Sequence, residues 1–198
     1  MSLPQDTGEP AGDRIAPLEE QRICVECGFC CDGTLFLHAH LNPGERGHLP
    51  EKIESAVYSK DGRDYFRLPC GYFDRKCTIY RSEKADVCYY YRCQLLKDYA
   101  GGVVSSEDAL KIVREAKRVR DELLGEWKKR SGREEDIYFM GILRESGKEA
   151  DPAIDEQGAL AEMDLFAVRC NIFEALLIRH FSPASEFEKL MMPETKVK

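Results

Sequence analysis

The spacing of apolar positions divides the chain in two. Beyond Ser105 they recur at Ile112, Ala116, Val119, Leu123 and Trp127, a rhythm that predicts one long amphipathic helix ending near Gly132. Ser105 with Asp108, or Ser106 with Glu107, supplies side-chain oxygens for the first unpaired amides of that helix. The same spacing returns at Leu160, Met163, Phe166, Cys170, Phe173 and Leu177. It predicts a second helix, interrupted at Ser182-Pro183 before a short one to Met192. Between them, in Gly132–Gln157, a short element is expected around Ile137–Leu143. Upstream the pattern changes: Thr34–Leu41, Tyr65–Leu68 and Thr78–Arg81 read as short strands, with turns at Asn42-Pro43-Gly44 and Asp61-Gly62. Residues 1–20 are rich in Pro, Gly and acids and read as a mobile lead-in. The expected class is therefore α+β: a small module with short strands over residues 21–100, then a mainly helical region over 101–198.

Cysteine gives the first module its chemistry. Eight of the nine cysteines fall between Cys24 and Cys93, in a stretch whose elements are too short to bury much by themselves. Cys24, Cys27 and Cys30 stand at C-x2-C-x2-C spacing, a three-ligand run of the kind found in iron–sulfur loops, and Cys31 follows directly. Gly28 permits a strained backbone beside Cys27. Cys70, Cys77, Cys88 and Cys93 form a looser second group, so Leu35–Pro69 becomes an excursion between the two. Inert buried thiols or a redox dithiol explain four cysteines in eight residues less well than metal ligation does. The module is accordingly expected to be metal-stapled. Eight thiolates fill two tetrahedral zinc sites without remainder, which favours zinc, with iron or an iron–sulfur cluster as the alternative. The adjacent pair Cys30-Cys31 suggests that each serves a different centre.

The pieces CVECGFCC at 24–31, LPC ending at Cys70, CTIY at 77–80 and CYYYRC at 88–93 resemble the YkgJ-type cysteine cluster family, described as zinc- or iron-chelating proteins. The resemblance implies that Cys24, Cys27, Cys30, Cys31, Cys70, Cys77, Cys88 and Cys93 are the metal ligands. It says nothing of the helical half. One departure stands out: the family often carries Arg-Pro between the Ile-Tyr pair and the next cysteine, where this chain has RSEKADV.

Composition narrows the remaining classes. Apolar residues make up 43% of 198 positions, enough for a core, and the net charge is -7. That acidity argues against a nucleic-acid partner, and the cations of Lys111–Arg133 interleave with acids as helix-surface pairs do. No apolar run is long enough to cross a membrane, and the start lacks the pattern of a secretory signal. A cytoplasmic location is expected, with a protein partner docking on the helical half. His38 and His40 share one strand face and, with His48, are secondary nitrogen ligands or simply a polar face. Tyr89, Tyr90, Tyr91 and Arg92 either wrap the cysteines or cover a small core. His180 is expected to be a cation at a helix end, and Cys170 a core residue. Motifs for catalysis, among them H-E-x-x-H and the Gly-rich nucleotide loops, are absent.

Overall fold

The computed structural model describes residues 17–135, 137–149 and 165–182. Its first element is a helix that the cysteine pattern concealed, α1 (Leu18–Cys27), with Glu19 and Glu20 in its first turn. Cys24 and Cys27 lie on this helix, one turn apart. It stops at Gly28, whose φ of 72° lets its amide close on the Cys24 carbonyl at 3.1 Å. A β-carbon there would sit 2.5 Å from Phe73 Cε2, so glycine is required by both backbone and space.

A three-stranded antiparallel sheet follows, in the order β1-β3-β2, from β1 (His38–His40), β2 (Val57–Lys60) and β3 (Arg63–Arg67). The short helix α2 (Glu51–Glu54) places Ile53 under the sheet. Phe66 faces Ala39 on one side and Val57 on the other. With Leu41, Ile53, Leu68 and Ala85 it forms a small apolar cluster on the inner sheet face. A two-residue hairpin, β4 (Phe73–Asp74) with β5 (Lys76–Cys77), comes next, then α3 (Val87–Tyr90) and α4 (Gln94–Ala100). The strand expected at Thr34–Leu41 is thus found shortened to β1, and the one expected at Tyr65–Leu68 is found shifted toward the N-terminus as β3. Thr78–Arg81 is a turn instead: the Thr78 amide and hydroxyl both donate to the Tyr72 carbonyl, closing the chain where a strand would have run on.

The helical half matches its pattern. Helix α5 (Ser106–Ser131) is capped by Ser105, whose hydroxyl accepts from the Asp108 amide at 3.0 Å and donates to the Asp108 carboxylate at 2.7 Å. Gly132 ends it at a φ of 65°. Its acids and bases pair along the surface, as with Arg118 between Glu115 and Glu122. Then come α6 (Phe139–Glu149) and α7 (Leu165–His180). Leu160, Met163 and the stretch from Pro183 to Met192 lie outside the described residues, as does most of the lead-in. His180 ends α7, but burial and then Arg179 lower its pKa from the ordinary 6.5. At neutral pH it is not the expected cation. Cys170 is buried among α7's core residues.

One apolar cluster joins both halves. Ile23, Cys27 and Phe29 from the cysteine-rich segment enter the same core as Ala109, Val113, Leu123, Phe139, Phe173 and Phe181. Phe29 is fully buried and meets Phe173 and Phe181 edge-on, with ring centroids at 6.5 and 5.2 Å. Polar contacts tie α1 to α5 along its length. Ser106 donates to Glu19 at 2.9 Å, Lys117 donates to the Glu26 carbonyl at 2.8 Å, and Arg120 pairs with Asp32. Phe29→Ala should lower unfolding stability by about 3–5 kcal/mol, the cost of emptying a buried aromatic site. Urea denaturation of the two proteins measures it, and near-equal midpoints would show that Phe29 is not a core anchor.

Candidate functional site

The eight clustered cysteines come from six different places in the fold. Cys24 and Cys27 lie on α1, and Cys30 and Cys31 in the turn after it. Cys70 follows β3, Cys77 ends β5, Cys88 is on α3, and Cys93 precedes α4. Backbone bonds lock these places together. The Cys31 amide donates to the Gly28 carbonyl at 2.8 Å, and the Cys70 amide donates to the Cys31 carbonyl at 2.8 Å. The second bond fixes the later cysteines against the first run. Beyond Cys93, the Gln94 amide donates to the Phe181 carbonyl at 3.0 Å, anchoring α4 to the end of α7.

The thiols are electrostatically coupled to one another. Cys27 and Cys30 each sense Cys93 and Cys24. Cys31 senses Cys88, Cys77 and Cys70, and Cys88 senses Cys70 and Cys77. Cys24 is coupled to both Cys93 and Cys77. Cys30 also senses its neighbour Cys31, and Cys31 and Cys88 both sense Cys24, so the thiols form one connected neighbourhood.

Proximity is not coordination. Among the described residues, no group of three or more His, Cys, Asp or Glu side chains is arranged to hold a metal ion. The sulfurs stand near enough to feel one another's charge, yet they do not converge as a ligand set must. This overturns the expectation of a zinc-stapled module and of its iron or iron–sulfur alternative. The α+β arrangement of short strands and a helical C-terminal half remains, without the staple. His38, His40 and His48 supply no ligand set either.

Burial dominates the chemistry of the thiols instead. It pushes Cys24 up to about 11 and Cys88 up to about 12, and holds Cys27, Cys30 and Cys31 well above the ordinary 9.0. Cys70 and Cys93 rise for the same cause. Negative charge on neighbouring sulfurs adds to the effect. Two groups oppose it that the spacing of cysteines did not single out. Tyr80 shares a hydrogen bond with Cys24, and Lys84 lowers both Cys24 and Cys88. Lys84 lies over the rings of Tyr80 and Tyr89, 4.1 and 4.4 Å from their centroids. Both sit in the run IYRSEK, where an aromatic and a cation between two cysteines were the available signal. Backbone amides also face the sulfurs, those of Leu96 and Leu95 at Cys93 and that of Tyr72 at Cys70. Arg92 does not serve the thiols: it donates to buried Glu20 at 2.7 Å. Of the aromatic run, Tyr91 packs edge-on against Phe36 at 5.2 Å, while Tyr90 is exposed.

Comparison with protein-family models, with curated proteins and with solved structures finds no match.

A thiol whose pKa is higher in the folded than the unfolded chain holds its proton more tightly when folded. Its contribution is complete below the unfolded pKa near 9.0 and disappears as pH rises through the folded value. For Cys24, a rise from 9.0 to about 11 corresponds to about 3 kcal/mol. Cys24→Ala should therefore lose less stability than the parent chain between about pH 9 and pH 11. Denaturant unfolding across that window tests it, and parallel curves would show that Cys24 is not buried as a neutral thiol.

Proposed function

We propose that residues 24–93 form a thiol–disulfide redox module, with Cys24, Cys27, Cys30, Cys31, Cys70, Cys77, Cys88 and Cys93 as its working set. The observation that supports this reading is that thiols from six places in the fold are near enough to influence one another's charge. Reduced thiols that share such a neighbourhood need only meet in pairs and lose protons and electrons to become cross-links. The likeness of the cysteine pattern to the YkgJ-type family supports treating the eight as one set; the metal chelation that likeness implied is not carried over.

The oxidant is a disulfide, small or protein-borne. Cys88 is the one of the nine cysteines whose residue is exposed, although its sulfur is sheltered enough for burial to raise its pKa, and it is the entry point. Its sulfur attacks one sulfur of the incoming disulfide, a mixed disulfide forms, and the other half leaves as a thiolate that takes up the Cys88 proton. Cys70, which Cys88 senses most strongly, then attacks the mixed disulfide, giving a Cys70–Cys88 bond and a second released thiol. Two thiols are oxidised and one external disulfide is reduced. High pKa values make the attack slow at neutral pH and, equally, make these sulfurs poor leaving groups once bonded. Such a module stores an oxidised state rather than turning over quickly. In a cytoplasmic setting, which the sequence favours, its resting form is reduced.

A second reading, a protein partner on the helical half, is supported by exposed Leu165 and Ile172 on α7, opposite the buried Phe166, Cys170, Phe173 and Leu177. No described helix is long and apolar enough to cross a membrane.

The redox reading is tested by incubating the folded chain with oxidised glutathione, then alkylating it in denaturant and counting free thiols by mass spectrometry. Thiols should disappear in pairs. The rate should rise about tenfold per pH unit on the way to the Cys88 pKa, and Cys88→Ser should slow the first step. A full complement of free thiols after prolonged exposure at mildly alkaline pH would overturn the proposal.

A further inference from the structure

The outer face of the three-stranded sheet has a composition unlike the rest of this acidic chain. Cross-strand registers place His38 opposite Arg67, His40 opposite Tyr65, Tyr58 opposite Tyr65, and Lys60 opposite Arg63. Alternation along each strand puts all of these on the side away from the Ala39, Val57 and Phe66 cluster. Every one is aromatic or basic. None belongs to either apolar cluster, and Lys60, Arg63, Arg67 and His40 are exposed.

Three rings cluster at the centre of the face. Tyr58 and Tyr65 lie nearly parallel, tilted by 25°, with centroids 5.7 Å apart. His38 stands edge-on to both, at 5.2 Å from Tyr65 and 6.4 Å from Tyr58. Arg67 covers Tyr58 with its guanidinium 5.0 Å from the ring. Burial and then Lys60 lower the His38 pKa from the ordinary 6.5, so at neutral pH this ring is an uncharged stacking surface. The nearby carboxylates are kept aside. Asp64 and Ser59 fall on the other side of their strands, and Asp64 pairs with Arg46 at 3.2 Å. Asp61 is confined to the hairpin tip, where its φ is 50°.

From this placement we infer that the outer sheet face binds single-stranded nucleic acid, stacking bases on Tyr65 and His38 while Lys60, Arg63 and Arg67 meet the phosphates. Aromatic rings flanked by cations on an open sheet match the two components of a flexible strand, its flat bases and its charged backbone. Duplex nucleic acid offers the phosphates but keeps its bases stacked inside, so the rings have no role there. The five residues of β3 span about 17 Å, room for two or three nucleotides. The net charge of -7 does not oppose this, because phosphate binding follows the local field of the contacting face. The site is separate from the thiols and does not depend on their chemistry.

Fluorescence anisotropy with the full chain tests it, using a labelled single-stranded RNA of mixed sequence, its duplex, and an abasic sugar-phosphate strand of the same length. The single strand should bind best. Three neutralised phosphates predict a slope of about -2 for the logarithm of the binding constant against the logarithm of salt. Tyr65→Ala should weaken binding about tenfold or more, and Arg63→Glu, at an exposed hairpin position that leaves the fold intact, should weaken it and flatten the salt slope. Equal binding of the abasic strand or the duplex, or no effect of Tyr65→Ala in a variant that melts like the parent, would overturn the proposal. So would the absence of single-strand binding at low salt.

Discussion

Phe29 is the side chain on which the two halves of this protein depend. It stands between Cys27 and Cys30, in a loop that the cysteines alone would leave without an anchor. Its ring is fully buried against Phe173 and Phe181 of the helical half. Burying a phenylalanine contributes several kilocalories per mole, more than any hydrogen bond in the loop. Arg120 reinforces the seat, lying 5.3 Å from the ring and pairing with Asp32 just beyond it. The carboxyl of Asp32 is pushed up by burial, and Arg120 is the main group opposing that. The cysteine loop is thus held by an aromatic anchor and a half-hidden ion pair, which supply the fixed geometry that a metal was expected to supply.

What could be read from the sequence follows the range of the interactions involved. Helix α5 was legible because its cap, apolar stripe and closing glycine are all local. Helix α1 was not. It buries Glu20, a carboxylate that is tolerable only because Arg92 arrives from a distant part of the chain, and no window over residues 18–27 contains that partner. The hairpin β4–β5 and the turn after it are likewise set by the Tyr72 carbonyl, which takes two bonds from Thr78. Strand β2 was missed because Val57–Lys60 is short and its alternation becomes visible only once Phe66 is paired beside it.

The cysteines were legible as a cluster, and their arrangement was not. Spacing suggested that the eight cysteines form one set of ligands; in the fold these thiols influence one another's charge but hold no metal among the described residues. Spacing could not say whether sulfurs meet at a point or merely share a neighbourhood, because that depends on how α1, the sheet and α3 are rotated against one another. Tyr80 and Lys84 gain their role from the turn after Cys77. The outer sheet face shows the same limit: His38 and His40 could be assigned to one face, but their company of tyrosines and cations needed the register.

The bond from the Gln94 amide to the Phe181 carbonyl, together with the seat of Phe29, has a consequence for synthesis. The residues that cover the cysteine loop lie about 150 positions downstream of it. At ribosomal rates of about 5–20 residues per second, the first four thiols leave the exit tunnel many seconds before Phe173 and Phe181 exist to enclose their loop. During that interval they are ordinary accessible thiols, without the burial that later suppresses their ionisation. The nascent chain is therefore a more reactive species than the finished one, and the redox conditions it meets while still tethered bear on which thiols survive unpaired into the native fold.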